Sequence, residues 1–199
     1  VNKPAGLLTH GQDSLVNWLL KYFPEIRTVG EDPERPGIVH RLDRETSGVL
    51  LVARNQKSFQ YLKKQFKERL VKKVYRALVY GVIKGERGLV DRPVGLGSKL
   101  KAATTYYKVL ERFPGYTYLE LYPKTGRTHQ IRKHLRSIGH PIVCDKLYAK
   151  NKACLLGLSR LALHAFSIEV KLLKGGAKYF EAPLPKDFKN AVAYLKKAC

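Results

Sequence analysis

The sequence predicts an α+β fold, a mainly antiparallel or mixed β-sheet core with flanking helices. Three observations carry that prediction. Stretches rich in β-branched and aromatic residues dominate the middle of the chain. About four other segments space their apolar residues as helices do. Strands and helices show no regular βαβ alternation, internal repeat or low-complexity segment.

The elements follow in order. Residues 13–23 read as a short helix that Asp13 can cap, with Leu15, Val16, Leu19 and Leu20 on one face and Pro24 ending it. A proline-rich connector over 31–37 leads through Ile38 and Val39 to the apolar run 49–53, a buried strand. A second amphipathic helix spans 57–69, with Phe59, Leu62 and Phe66 at helical spacing. Strands are expected over 73–83, 104–113 and 116–122, the last two forming a hairpin around the turn dipeptide Pro114-Gly115. Residues 128–138 form a helix stopped by Gly139, with Pro141 just beyond. Strands over 161–170 and 179–182 precede a closing helix at 186–197, whose Phe188, Val192 and Leu195 face inward.

With 199 residues, 44% of them hydrophobic, the chain has material for a packed core, and it reads as a single domain over 1–199. No apolar run approaches the roughly 20 residues a membrane span needs, and no signal-peptide stretch opens the chain. A cytoplasmic location is the expectation. The chain opens at Val1 and contains no methionine, so it reads as a trimmed piece. Lysine and arginine exceed aspartate and glutamate by 38 to 16, a formal charge of +22 that attracts polyanions. No helix pairs a basic face with a long apolar one, so nucleic acid rather than a membrane surface is the expected partner. Cys144, Cys154 and Cys199 are odd in number and lack CxxC spacing, so a disulfide framework is not expected.

The run His40-Arg41-Leu42-Asp43-Arg44-Glu45-Thr46-Ser47-Gly48 sets one carboxylate between two arginines, just before a buried strand. Flanking cations keep such a carboxylate ionised, and in a confined site it can act as nucleophile or base. It can equally cap a turn or pair with Arg41 or Arg44. A second run, Lys124-Thr125-Gly126-Arg127-Thr128-His129-Gln130-Ile131-Arg132, gathers cations at a helix start, where free amides favour anions. Lys124, Arg127 and Thr128 fall near that end, and Arg132, Lys133 and Arg136 lie further along. A solvated basic face is the plain alternative. Gly126 there suggests a backbone that needs glycine. Neither this run nor Gly95-Leu96-Gly97-Ser98-Lys99 has the order of a phosphate-binding loop. His129, His134, His140 and Cys144 cluster in sequence, but His129 and His134 lie roughly 140° apart around a helix, unsuited to a shared metal. His40, His129 and His164 read as buried hydrogen-bonding residues. Tyr75 lies on a predicted strand, where tyrosine is usually core filler.

Four segments together resemble the RluA/RluD-type pseudouridine synthases: Val1-Asn2-Lys3-Pro4-Ala5-Gly6-Leu7, the 40–48 run, the 124–132 run, and Arg160-Leu161-Ala162-Leu163-His164-Ala165. The resemblance implies the catalytic fold of that family and isomerisation of uridine to pseudouridine in structured RNA, without metal or organic cofactor. It implies Asp43 as the catalytic aspartate and Tyr75 as the residue that packs on the target base. It implies Arg127 as the basic partner of the aspartate and Leu163 as part of the apolar pocket. Arg41 matches the arginine that fills the gap left by the flipped nucleotide. Arg44, Lys124, Thr128, His129, Gln130 and Arg132 complete the residues expected to meet RNA. Large-subunit ribosomal RNA is the expected substrate, transfer RNA the alternative, and a monomer the expected state. The chain departs from the family pattern in three places: the sequence does not include the small RNA-binding domain many members carry ahead of the catalytic one, Cys144 stands where glycine is usual, and the loop before Ala103 is short. Two rival functions stay open: a non-catalytic RNA-binding or ribosome-assembly protein, and a nucleoside hydrolase. A hydrolase would want a second carboxylate, for which Glu45 is the near candidate.

Overall fold

A computed structural model describes residues 1–96 and 99–198, so Gly97 and Ser98 of the Gly95–Lys99 stretch, and Cys199, lie outside the described residues. Among the described residues the chain forms four α-helices and ten strands, and it divides into two compact units. The first unit comprises Val1–Lys72 and Ser167–Ala182; the second comprises Lys73–Phe166 and the chain from Pro183 onward.

In the first unit, β1 (Asn2–Lys3) pairs antiparallel with β2 (Ser47–Val49), setting Lys3 opposite Gly48. Val49, Leu50 and Ala53 of the apolar run are buried, Leu50 fully so, while Leu51 and Val52 are half-buried, and the strand is shorter and earlier than its pattern suggested. β1 offers only two residues to the ladder; beyond it, the Leu50 amide reaches the Val1 carbonyl and Val52 makes an isolated bridge to Ile38. Helix α1 (Leu15–Tyr22) is capped at Ser14 rather than Asp13. The Ser14 amide donates to Asn17 Oδ1 at 2.9 Å, while Asp13 adopts a left-handed φ of 48°. Pro24 ends the helix as expected and begins a 3₁₀ turn, Pro24–Thr28. Helix α2 (Gln56–Lys67) starts at Asn55, whose side chain accepts from the Ser58 amide. It packs Phe59 and Leu62 into a core with Val29, Val49, Ala53 and Val71.

The second unit is built on four antiparallel strands. β3 (Lys72–Tyr80) enters it from the first unit, and the order is β3–β8–β7–β4. Strand β4 is Arg87–Asp91, β7 is Thr104–Phe113 and β8 is Tyr116–Pro123. The expected β7–β8 hairpin forms, with Gly115 at a φ of 76° in its turn. A small hairpin of β5 (Val94–Leu96) and β6 (Lys99–Lys101), absent from the sequence expectation, lies between β4 and β7. Helix α3 (Gln130–Ser137) starts two residues later than expected, because His129 takes a left-handed φ of 55°. Gly139 stops α3 as expected, with the His140 amide returning to the Leu135 carbonyl. Strand β9 (Leu163–Lys171) runs from the second unit into the first, where β10 (Ala177–Glu181) pairs with it antiparallel. Helix α4 (Lys186–Lys197) buries Phe188, Val192 and Leu195, as its spacing predicts.

Cys144 and Cys154 are joined by a disulfide, their Cα atoms 4.7 Å apart, which corrects the expectation that the cysteines stand unpaired. Cys144 has a φ of 60°, the conformation that makes glycine the easier residue at this position. Among the described residues no helix is long and apolar enough to cross a membrane.

Candidate active site

Asp43 lies on the loop that carries the chain into β2, and the backbone on both sides of it is clamped. On one side, Thr9 Oγ1 donates to the Leu42 carbonyl at 2.9 Å. On the other, the Arg44 carbonyl accepts from the Gly6 amide and from Lys3 Nζ, at 2.9 and 3.1 Å. Arg44 Nε returns the favour to the Gly6 carbonyl at 2.9 Å. The Asp43 carbonyl itself accepts from the Thr46 amide, closing a tight turn. Lys3 is fully buried, and its ammonium also reaches the carbonyls of Pro4 and Leu7. Burial lowers its pKa to about 8, although Glu45 and Asp43 pull the other way. His40 Nε2 accepts the Leu51 amide and its ring stacks on Phe66, so His40 is structural as expected. Arg41 and Arg44 are exposed beside the half-buried Asp43. Lys3 escaped the sequence reading as a functional residue; its only signal was its place in the Asn2-Lys3-Pro4 segment.

The remaining candidates belong to the second unit. Tyr75 lies on β3 opposite Leu121 of β8 and packs against the main apolar cluster. Leu163, the first residue of β9, is a buried member of the same cluster. Arg127 follows β8 on the turn into α3, half-buried, with Nε directed at the Ala102 carbonyl. Lys73 Nζ donates to the Thr125 carbonyl at 3.3 Å, and burial lowers its pKa to about 8. Gly126 has open space around a virtual Cβ and no left-handed φ, so neither strain nor crowding within the chain requires glycine there. That corrects the expectation of a backbone need.

Of the residues expected to meet RNA, Arg41, Arg44, Lys124 and Thr128 are exposed, and His129 is half-buried with Nδ1 against the Tyr148 hydroxyl. Gln130 and Arg132 are each only 4% exposed. Both bond to other residues within the protein. Arg132 makes a two-pronged pair with Asp145, both bonds 2.8 Å, and lies over the Tyr148 ring. Burial pushes the Asp145 carboxyl up, but Arg132 and the amides of Tyr148 and Leu147 outweigh it and leave the pKa below the ordinary value. His134 spends its ring nitrogens on Thr105 and the Arg92 carbonyl. Among the described residues no group of three or more His, Cys, Asp or Glu could hold a metal ion.

The family described as RNA pseudouridylate synthase matches residues 1–137. The chain belongs to this family. A relative from Chloroflexus aurantiacus, named an uncharacterized RNA pseudouridine synthase, is 40% identical over 211 residues, covering 98% of this chain and 66% of its own length. The ribosomal large subunit pseudouridine synthase D of Borreliella burgdorferi is 37% identical over 205 residues, covering 94% of this chain and 63% of its own. The chain thus spans about two thirds of the curated relatives it matches. The solved structure of human RNA pseudouridylate synthase domain containing 4 superimposes with a TM-score of 0.81 at 28% identity, covering 98% of this chain and 88% of that one. The α+β class is therefore that of the pseudouridine synthases. The family match takes in the Asp43 loop, Tyr75 and the Arg127 turn, while Leu163 lies beyond it.

Proposed function

We propose that this chain isomerises uridine to pseudouridine in structured RNA, with large-subunit ribosomal RNA as its first candidate substrate. The observation that carries the proposal is the clamped loop: in a member of the synthase family, Asp43 of the 40–48 run has both neighbouring carbonyls tied down by Thr9, Gly6 and Lys3. A catalytic group held this way loses little freedom on reaching its substrate.

The reaction breaks the N1–C1′ bond, turns the uracil and joins C5 to C1′, while the C5 proton leaves and N1 regains one. Attack at C1′, attack at C6 and removal of the C2′ proton all need a single carboxylate, and Asp43 fills that role. Tyr75 packs on the base, Arg127 is the basic partner and Leu163 closes the apolar side of the pocket. Arg41 takes the place of the extruded nucleotide, which leaves its stack at a cost of a few kcal/mol. The exposed cations Arg44 and Lys124, and a net charge of +22, supply affinity for the RNA backbone. No atoms pass to or from a second substrate, so the proposal calls for no cofactor. The choice of ribosomal RNA is supported by relatives named as large-subunit synthases in Borreliella burgdorferi and Neisseria meningitidis.

The test incubates the purified chain with unmodified large-subunit ribosomal RNA and, separately, transfer RNA, each labelled with tritium at uridine C5. Tritium release with pseudouridine at discrete positions of the ribosomal RNA is expected. Release from transfer RNA alone would move the substrate to that class. Free tritiated uracil would make the chain a hydrolase, and neither tritium release nor free uracil from either RNA would leave an RNA-binding protein in its place.

A further inference from the structure

The buried carboxamide of Gln130 faces the turn that carries Arg127, and its surroundings fix which way it points. Gln130 Oε1 lies 3.0 Å from the Arg127 amide nitrogen and 2.6 Å from Thr125 Oγ1. The backbone amide can only donate, so this atom is the oxygen. On the far side, Gln130 Nε2 lies 3.0 Å from the Thr104 carbonyl and 3.0 Å from Thr105 Oγ1. The carbonyl can only accept, so this atom is the nitrogen. All four bonding positions of the carboxamide are used. The Gln130 amide also donates to the Arg127 carbonyl at 3.0 Å, so residues 127 and 130 hold each other reciprocally, in the manner of a capping box.

Beyond Thr105 the order continues in one direction. His134 Nε2 is 2.9 Å from the Arg92 carbonyl and therefore carries the proton. Burial lowers the His134 pKa, so the ring is neutral near pH 7 and its Nδ1 is an acceptor. The Thr105 hydroxyl, 2.9 Å away, then donates to Nδ1 and accepts from Gln130. From the Arg127 amide the donors run through Gln130, Thr105 and His134 to the Arg92 carbonyl, each link pointing the same way. Reversing any one link would set two donors or two acceptors face to face.

We propose that Gln130 is a positioning residue for the reaction: its carboxamide, oriented by Thr105 and His134, holds the Arg127 backbone and so aims the guanidinium that the chemistry uses. The inference rests on the function proposed for Arg127, but half of its test does not.

That half is hydrogen exchange. In Gln130→Met, a near-isostere without polar atoms, the Arg127 amide should exchange at least about tenfold faster than in the wild-type protein. Unchanged protection would overturn the inference whatever the protein's activity. The other half is kinetic, on tritiated large-subunit ribosomal RNA. Gln130→Met should lower kcat about tenfold or more with RNA affinity within about twofold, and combining it with Arg127→Ala should cost no more than Arg127→Ala alone. Additive losses would overturn it. Should Gln130→Met fail to fold, Thr105→Val removes the link that orients Gln130 from behind and Thr105→Ser restores the hydroxyl. The valine variant should then repeat the loss of kcat and the serine variant should recover it; equal activity in the two would count against the chain of donors. Wild-type turnover by Arg127→Ala would sink the functional proposal instead, leaving the exchange result standing by itself.

Discussion

At the scale of single residues, Lys3 shows how a buried cation can serve a neighbouring loop. Three carbonyls, those of Pro4, Leu7 and Arg44, converge on its ammonium, and Arg44 follows Asp43 directly. Replacing it in Lys3→Met leaves those acceptors without their donor, at a cost of about 2–4 kcal/mol by chemical denaturation. Its pH dependence has a definite sign. A lysine whose folded pKa is lowered to about 8 binds fewer protons folded than unfolded between there and the ordinary lysine value of 10.5. Stability through Lys3 therefore rises with pH across that window and levels off at its lowest below about 8, where both states carry the proton. Wild-type stability should gain on Lys3→Met between pH 8 and 10; a constant difference would mean that the ammonium is not desolvated. Asp43 stands out in the sequence because a carboxylate between two arginines before a buried strand is unusual. Lys3 does not, because nothing local distinguishes a buried lysine from the many solvated ones in so basic a chain.

At the scale of elements, helix α3 is held from behind by a buried ion pair and not by its own propensity. Arg132 and Asp145 are 4% and 1% exposed, and Asp145 also accepts the amides of Leu147 and Tyr148. Removing one partner strands the other charge, so Arg132→Met should cost about 3–5 kcal/mol, far beyond a surface arginine. The depressed Asp145 pKa means that this stabilisation is present above the ordinary carboxylate range and fades as pH falls through the folded value. A wild-type acid transition unaltered in Arg132→Met would contradict it. Arg132 and Gln130 read as RNA contacts on sequence grounds because basic and amide residues near a helix start suit an anion. Which side of α3 meets β7 is not written in their spacing, and both residues lie on the buried side, Gln130 against Thr104 and Thr105 of β7. Elements with long, regular patterns were read correctly, as in β7, β8 and α4. The β5–β6 hairpin was missed because its three-residue strands carry no periodic signal.

At the scale of the whole molecule, composition speaks most directly to the partner. An excess of 22 positive charges predicts RNA binding that weakens steeply with salt, with affinity falling by orders of magnitude between about 50 and 200 mM. A flat response would remove the polyelectrolyte basis for substrate affinity. The disulfide between Cys144 and Cys154 closes a ten-residue separation. Reducing it, or substituting Cys154→Ser, should cost about 2–3 kcal/mol, measured by denaturation with and without a thiol reductant. The sequence suggested the opposite, since unmatched spacing and an odd count say nothing of two cysteines that the chain brings side by side. The division into two units was equally hidden, because β9 carries one continuous strand pattern through the boundary between them.

The most direct measurement is the turnover of Asp43→Asn, which keeps the shape of the side chain and removes its charge. With Asp43 as the reactive group, pseudouridine formation should fall by at least about 1,000-fold while RNA affinity stays within about threefold. Turnover within about tenfold of the wild type, on an RNA that the wild type modifies, would contradict the assignment of the chemistry to this carboxylate.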